Sequence, residues 1–402
     1  MGGNLLDGSD AGRRALQVNA MMEILNSARQ VVAESVATVA LALCATWGGV
    51  AHCEDWDAVA RLLAGMPGQG FDSVRAQRCW AEHAAEMDKA WMRFQGGRMA
   101  KIRSWSTAEM GDIHGRCGTI FYPFSGPDLA HVVAFFPRAK TYVLCALEPV
   151  SPPPDLSAMS GGEWAVALAA MRAPMLTAIN YTYFITKDMR RDFARSALKG
   201  NLPPLLSFAA RLGLRVDSVE SVTLDDDGSP VVAPGWTGAS PRGVRLRVRR
   251  GTGSSDVYYF SADLGNGALG RDGRLSRFLS ALGSRATFMK SASYLMHEGS
   301  FSGVRALVLD GSAAILQDDS GIPLSGLDPR WWDLRFYGNY RGTLDMFRQY
   351  YQPALREIFE SGGARVRPLD FGVGYKFSPD DTVLMLARRR AGDAPPRAER
   401  VP

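Results

Sequence analysis

The spacing of apolar and polar positions changes character several times along the chain, and each change predicts a different element. Residues 35–50 (SVATVALALCATWGGV) form a run without one charge. From 54 to 105 apolar residues recur at helical spacing. Met87, Trp91 and Phe94 share a face with Glu86, Lys89 and Arg93 between them, which predicts amphipathic helices whose Trp and Met stripe is core. At 119–122 the pattern becomes a short apolar strand that runs into the turn 123–128. A helix over 129–136 and a near-continuous apolar strand at 141–147 follow. Strand, turn, helix and strand make a βαβ unit, whose strands are parallel and buried on both faces. A second unit of the same shape is predicted from a strand at 286–292, a helix at 302–309 and a strand at 313–316.

Between the two units the pattern predicts helices at 164–179, 187–198 and 203–212, after a Pro/Gly/Ser loop at 151–162. From Val216 the chain turns β-rich. Residues 225–228 (DDDG) read as a hairpin turn. Residues 242–250 alternate strictly, with Val244, Leu246 and Val248 on one face and Arg245, Arg247 and Arg249 on the other, and 257–260 pairs with them. That arginine face is read as a solvated strand face. A helix at 344–361 bent at Pro353, and a hairpin of 369–377 with 382–387 across the turn 378–381, close the chain.

The fold class expected is α/β: a mostly parallel Rossmann-like sheet flanked by helices, with a β-rich insertion at about 214–265 and a C-terminal antiparallel hairpin. The organisation expected is a signal segment at 1–51, a helical region at 52–110, the α/β domain at 111–388 and a disordered basic tail at 389–402.

Composition narrows the class. With 402 residues, 46% hydrophobic and 22% charged, the chain is neither disordered, collagenous nor polytopic. The net charge is +5, and Arg388, Arg389, Arg390, Arg397 and Arg400 crowd the Pro/Ala-rich end. No aromatic-interleaved basic motif accompanies them, so they are read as a solvated tail and no nucleic-acid partner is expected.

The uncharged run follows Arg13, Arg14 and Arg29 and precedes a polar stretch, the order of a secretory signal, with small residues placing cleavage near Ala51. A membrane anchor is the alternative, but the run is shorter than the roughly 20 residues a spanning helix needs. No other run is long enough, so no transmembrane segment is expected after cleavage, and the protein is expected in the periplasm or cell envelope. Removing Cys44 with the signal leaves Cys53, Cys79, Cys117 and Cys145, which permit three disulfide pairings or remain as free thiols.

Candidate chemistry gathers where the predicted parallel strands end, since ligands of open α/β sheets lie outside those ends. The catalytic candidates there are Asp128, Glu148, Asp318 and Asp319, as carboxylate bases or ligands, with Lys290 to stabilise negative charge and His297 as acid or base. Asp128 also suits a helix cap, as does Ser125. Adjacent carboxylates at 318 and 319 repel if buried, so a cation is expected beside them, and a buried Lys290 demands a carboxylate. Tyr122, Ser125, Ser293, Tyr294, Gln317, Ser320, Tyr337 and Tyr340 are the candidate ligand-binding residues; Trp331 and Trp332 make the last two part of an aromatic stretch that suits either stacking or packing. There is no G-x-S-x-G, H-E-x-x-H or P-loop. A small-molecule ligand is expected, while cofactor and metal stay open.

The segments FYPFSGPD (121–128), KTYVLCALEPV (140–150), KSASYLMH (290–297), ILQDDSGIP (315–323) and YGNY (337–340) resemble those of a family of exported bacterial proteins, many of them lipoprotein-like. The resemblance spans roughly 80–388. It implies export and no particular activity; the amino terminus departs from the pattern in lacking a clean lipobox. Three functional readings follow: a hydrolase- or transferase-like enzyme using the strand-end carboxylates with Lys290 and His297, a non-catalytic binding protein using the same cleft, or a degenerate class I methyltransferase-like fold in which SGPD replaces a glycine-rich turn.

Overall fold

The computed structural model describes residues 55–390 except 154, 185–195, 234–235, 237–241 and 362–365. The predicted signal segment, Cys53, the tail beyond 390 and most of the helix predicted at 187–198 lie outside the described residues.

The chain enters through helices. The Asp55 carboxylate accepts the N–H groups of Asp57 and Ala58 at 3.1 and 3.2 Å and so starts α1 (Trp56–Leu63). A single turn, α2 (Asp72–Arg75), precedes α3 (Arg78–Phe94), which passes through a π-helical turn at Gln95–Met99 into α4 (Ala100–Arg116). Met87, Trp91 and Phe94 are buried, as their spacing predicts. The helical stretch runs past 110 to Arg116.

The first βαβ unit follows as β1 (Thr119–Pro123), α5 (Leu129–Phe135) and β2 (Thr141–Ala146), with β1 and β2 parallel and Pro123 opposite Cys145. A capping box of Ser160 and Glu163 opens α6 (Gly161–Tyr181), and α7 (Leu202–Arg211) follows. The β-rich region forms β3 (Arg215–Leu224), β4 (Pro230–Val232), β5 (Arg242–Arg250) and β6 (Gly253–Ser261), each antiparallel to a neighbour. Arg245, Arg247 and Arg249 pair with Glu220, Asp256 and Asp217 along one face of this ribbon. Next come α8 (Asn266–Asp272), α9 (Arg274–Ala281) and the second unit, β7 (Arg285–Met289), α10 (Ser302–Gly311) and β8 (Ser312–Gln317), again parallel. The chain closes with β9 (Trp332–Gly338), α11 (Pro353–Ser361), β10 (Val366–Arg367) and β11 (Val383–Arg389).

All eleven strands join one mixed sheet in the order β10-β9-β11-β8-β7-β1-β2-β6-β5-β3-β4. The expected mostly parallel sheet is corrected by this order. Four parallel pairs form a continuous centre, β6-β2-β1-β7-β8, while β5, β3 and β11 add antiparallel pairs on either side and β10 runs parallel to β9 at one edge. Central strands are covered on both faces: Ile120, Tyr122 and Leu144 point into the layer with α3, α5 and α7, and Phe121, Val143 and Cys145 into the layer with α9 and α10. This two-sided burial is why these strands read as unbroken apolar runs. The steps β1→β2 and β7→β8 run in opposite directions across the sheet with helices on opposite faces, as right-handed crossovers demand. β1 is therefore the place where the strand order reverses.

Several expected elements differ. The strand at 286–292 stops at Met289, and Ala292–His297 is a 3₁₀ turn, so Lys290 lies beyond the strand and not within it. The helix at 344–361 is a 3₁₀ segment, Asp345–Tyr350, followed by α11, which Pro353 opens rather than bends because the first helical position needs no N–H. No strand forms over 369–377; a single bridge joins Val373 and Lys376. A Cβ at Gly372 would collide with the Phe377 carbonyl, and Gly374 has φ +74°, so this segment is a glycine turn. β11 instead inserts antiparallel between β8 and β9. Arg388 and Arg389 belong to β11 and not to a tail: Arg388 pairs with Asp112, and Arg389 Nε donates to the Ser312 carbonyl at 2.8 Å. Cys79, Cys117 and Cys145 are free thiols. Among the described residues no helix is long and apolar enough to cross a membrane.

Candidate functional site

The turn after β1 is shaped by backbone that most residues avoid. Phe124 and Gly126 have φ +58° and +56°, and the Ser125 N–H and Oγ both reach the Cys145 carbonyl at the end of β2, at 3.0 and 3.4 Å. This delivers Asp128 to the N-cap of α5. Its Oδ1 accepts the His131 N–H at 3.2 Å and lies 2.8 Å from His131 Nδ1, while Oδ2 accepts the Tyr122 hydroxyl at 3.1 Å. Lys290 Nζ lies 2.8 Å from the same Oδ2 and also donates to the Thr182 carbonyl. Asp128 and Lys290 are 1% and 2% exposed, so the pair is an interior ion pair. Burial pushes the Asp128 carboxyl up, but His131 and Lys290 outweigh it and hold the group well below the usual carboxylate range. His131 is pushed down, by burial first and by Lys290 against the pull of Asp128.

One residue on, Ser291 adopts φ +65° and ψ −90°, a strained conformation of the kind that costs about 1–3 kcal/mol. Its N–H donates to Asp318 Oδ2 at 2.8 Å, the contact that holds it there. Asp318 and Asp319, beyond the end of β8, are both buried but differently supplied. Asp319 Oδ2 accepts the Tyr294 hydroxyl at 2.8 Å and faces Lys376 Nζ at 3.2 Å, the cation that the sequence required. The donors that reach Asp318 are neutral: the Ser291 N–H, and the Ser320 N–H and hydroxyl at 2.9 and 2.5 Å. Burial, then repulsion from Asp319, raise Asp318 to about 6 against those donors.

The remaining candidates divide. Gln317 is spent bracing the turn, accepting from Ile322 N–H at 3.0 Å and donating to its carbonyl at 2.7 Å. Tyr337 is removed from the cluster: its hydroxyl donates to Glu109 at 2.7 Å, and the alternation of β9 turns it into the core layer that packs on α4. Tyr340 lies at the margin, its ring 4.8 Å from Lys376 Nζ. Burial pulls His297 down to about 4, so its ring is uncharged at neutral pH. Its ring packs against Tyr294 and Tyr350, in an aromatic group that continues through Phe347 to Tyr375. Glu148 is 5% exposed and stands apart, two residues past β2; its backbone carbonyl accepts the Tyr259 hydroxyl at 2.8 Å.

His131, Thr182 and Lys376 are members of the network that sequence reading missed. His131 was legible as the residue three after a capping Asp, whose ring returns to the cap. Thr182 and Lys376 come from the end of α6 and a glycine turn far along the chain, and no local pattern marks them. Among the described residues no three His, Cys, Asp or Glu side chains are disposed to hold a metal ion.

Fold and site together define an α/β protein with a charged, buried network at the ends of its central parallel strands. Compared with known proteins, the chain matches no family model and no curated sequence.

Proposed function

We propose that this protein is a small-molecule enzyme of hydrolase or transferase type, with a Rossmann-like centre and its ligand over the carboxyl ends of β1, β2, β7 and β8. The observation that carries the reading is a concentration of unmet hydrogen-bonding capacity. Ser291 Oγ, Ser293 Oγ, His131 Nε2, His297 Nε2, Glu148 Oε2 and Asn201 Oδ1 are all buried without a partner, and all belong to segments at or beside these strand ends. A buried polar atom left unpaired costs about 1–3 kcal/mol, which a bound ligand offsets. Strand-order reversal at β1 supports the same location.

Within this reading Asp318 is the proton acceptor, raised toward neutrality, while Lys376 neutralises its neighbour Asp319. Asp128, Lys290 and His131 are positioning residues beneath the ligand. Export, expected from the uncharged run, is proposed with it. The test is turnover of a panel of chromogenic esters, phosphates and glycosides by the purified protein. Asp318→Asn should cost at least about 10²-fold at unchanged folding, and the wild-type rate should rise as pH passes 6. If the Asp318→Asn variant keeps its rate, the assignment is refuted.

A second reading, a non-catalytic binding protein, is favoured by one observation: Tyr294 stacks on Phe347 at 4.2 Å and on Tyr350 at 5.3 Å, a largely buried aromatic group with half-buried Tyr350 at its margin. It predicts ligand binding with no turnover on any substrate class. The methyltransferase-like alternative rests on analogy of strand order, with antiparallel β11 lying between β8 and β9.

A further inference from the structure

We infer that Ser291 is a nucleophile and that the site transfers acyl groups from neutral carboxylic esters by way of an ester formed on its hydroxyl. The inference rests on the reading that the strand ends form an enzymatic site, and names its reaction and substrate class. Ser291 stands between β7 and the 3₁₀ turn Ala292–His297, with φ +65° and ψ −90°. Glycine takes a positive φ without steric cost, so the turn itself gives no reason for a serine. Its neighbours hold the conformation. The Met289 carbonyl accepts the Asp318 N–H at 3.2 Å, Lys290 Nζ lies 2.8 Å from Asp128 Oδ2, and the Ser291 N–H donates to Asp318 Oδ2 at 2.8 Å. Strain of this kind persists where the surroundings over-determine it, and it gathers at sites of chemistry.

What this bracing presents is an unspent hydroxyl. Ser291 is 4% exposed and its Oγ has no hydrogen-bond partner. Ser320 shows how a serine satisfies both its groups on the same carboxylate, its N–H and hydroxyl reaching Asp318 Oδ1 at 2.9 and 2.5 Å. Ser291 makes only the backbone half of that arrangement, on Oδ2. Rotation about its Cα–Cβ bond is the motion that carries the hydroxyl toward Asp318. Asp318, raised to about 6, is largely ionised at neutral pH and accepts the proton. Ser293 Oγ is buried and unpaired as well, but among the described residues no bond ties Ser293 to a carboxylate.

The step is an acyl transfer. Ser291 Oγ bonds to the ester carbonyl carbon as its proton passes to Asp318. Collapse of the tetrahedral adduct breaks the bond to the alcohol, which leaves with that proton. Water then attacks the acyl carbon, gives a proton to Asp318 and releases the acid as Ser291 Oγ regains the proton. Charge selects the substrate. Among the described residues the ammonium groups that enter the network are each matched, Lys290 by Asp128 at 2.8 Å and Lys376 by Asp319 at 3.2 Å, which leaves the Asp318 carboxylate in surplus. A phosphate monoester would set further negative charge against it, whereas a carboxylic ester arrives neutral.

The test labels the whole protein with diethyl p-nitrophenyl phosphate, a neutral triester that traps nucleophilic hydroxyls, and follows p-nitrophenyl butyrate and p-nitrophenyl phosphate turnover, in wild type, Ser291→Ala and Ser291→Gly. Expected is one diethylphosphoryl group per chain on the peptide that carries Ser291, none in either variant, and a loss of butyrate turnover of at least about 10²-fold in both. S291G, relieved of the strain, should melt no lower than wild type, which certifies its folding. Labelling or butyrate turnover that survives in S291G, an adduct on another residue, or neither adduct nor butyrate turnover at millimolar concentration overturns the inference. Turnover of p-nitrophenyl phosphate but not of the butyrate, lost in S291G, overturns the acyl assignment. If Asp318-dependent turnover of any probe persists without a Ser291 adduct, the enzymatic reading stands and only the nucleophile fails. An adduct on Ser291 with no turnover of any probe has the opposite meaning.

Discussion

Replacing Lys290 by Met tests whether the ion pair at the β1–β7 junction is a feature of the interior. The substitution keeps the stem and removes the ammonium, leaving Asp128, 1% exposed, with only the His131 and Tyr122 donors and leaving the Thr182 carbonyl without its Nζ–H. Removing one partner of a buried pair costs about 3–5 kcal/mol, because the other charge stays out of water. With an unfolding entropy of about 2.1 cal/mol/K per residue over roughly 330 folded residues, that corresponds to a fall in melting temperature of about 4–7 °C. Asp128→Asn should also destabilise, since Lys290 is then the stranded charge. The double variant should lose at least about 2 kcal/mol less than the sum of the singles. Urea unfolding of all four proteins measures the cycle, and salt should barely alter it because neither group meets solvent. Additive single effects, or a Lys290→Met cost under about 1 kcal/mol, would refute an interior pair between these two residues.

Asp318 makes a pH prediction of definite sign. A carboxyl raised from 3.8 to about 6 binds its proton in the folded state where the unfolded chain has lost it, so its contribution is present below about pH 4 and is lost as pH rises toward 6 and beyond, by about 3 kcal/mol. The stability difference between wild type and Asp318→Asn, followed by urea unfolding from pH 4 to 8, should move in favour of the variant across that window; a flat difference would contradict it. Gly374→Ala should destabilise by more than about 1 kcal/mol, because Gly374 has φ +74° and a Cβ would strike Asp318 Oδ2; an unchanged unfolding midpoint would show that the turn yields. His297 should show no NMR titration between pH 6 and 8, since burial has lowered it to about 4; a midpoint near 6.5 would place the ring in solvent. Mass spectrometry of protein recovered from the cell envelope should find an amino terminus near His52, and a chain retained at full length in the cytoplasm would count against export.

The sequence by itself determined the parts whose cause is local. The βαβ units at 119–147 and 286–316 were legible because strands buried on both faces must be apolar throughout. The β3–β6 ribbon was legible because a half-exposed strand must alternate, as Val244, Leu246 and Val248 do against the arginines. The polar strand ends were legible because packing gives no reason for Asp128, Glu148, Asp318 and Asp319 to be there. What only the tertiary structure decided was which of these residues met. Lys290 reaches Asp128 because β7 lies beside β1 although about 160 residues separate the two strands. Lys376 supplies the cation for Asp319 from a glycine turn that the alternation had suggested was a strand. The order that puts β11 between β8 and β9, and sends Tyr337 away from the cluster while Tyr340 stays at its edge, is likewise fixed by long-range pairing. Periodicity reports which face of an element is buried; it carries no information about the distant element that covers it, and charge pairs, shared protons and unmet acceptors all depend on that partner.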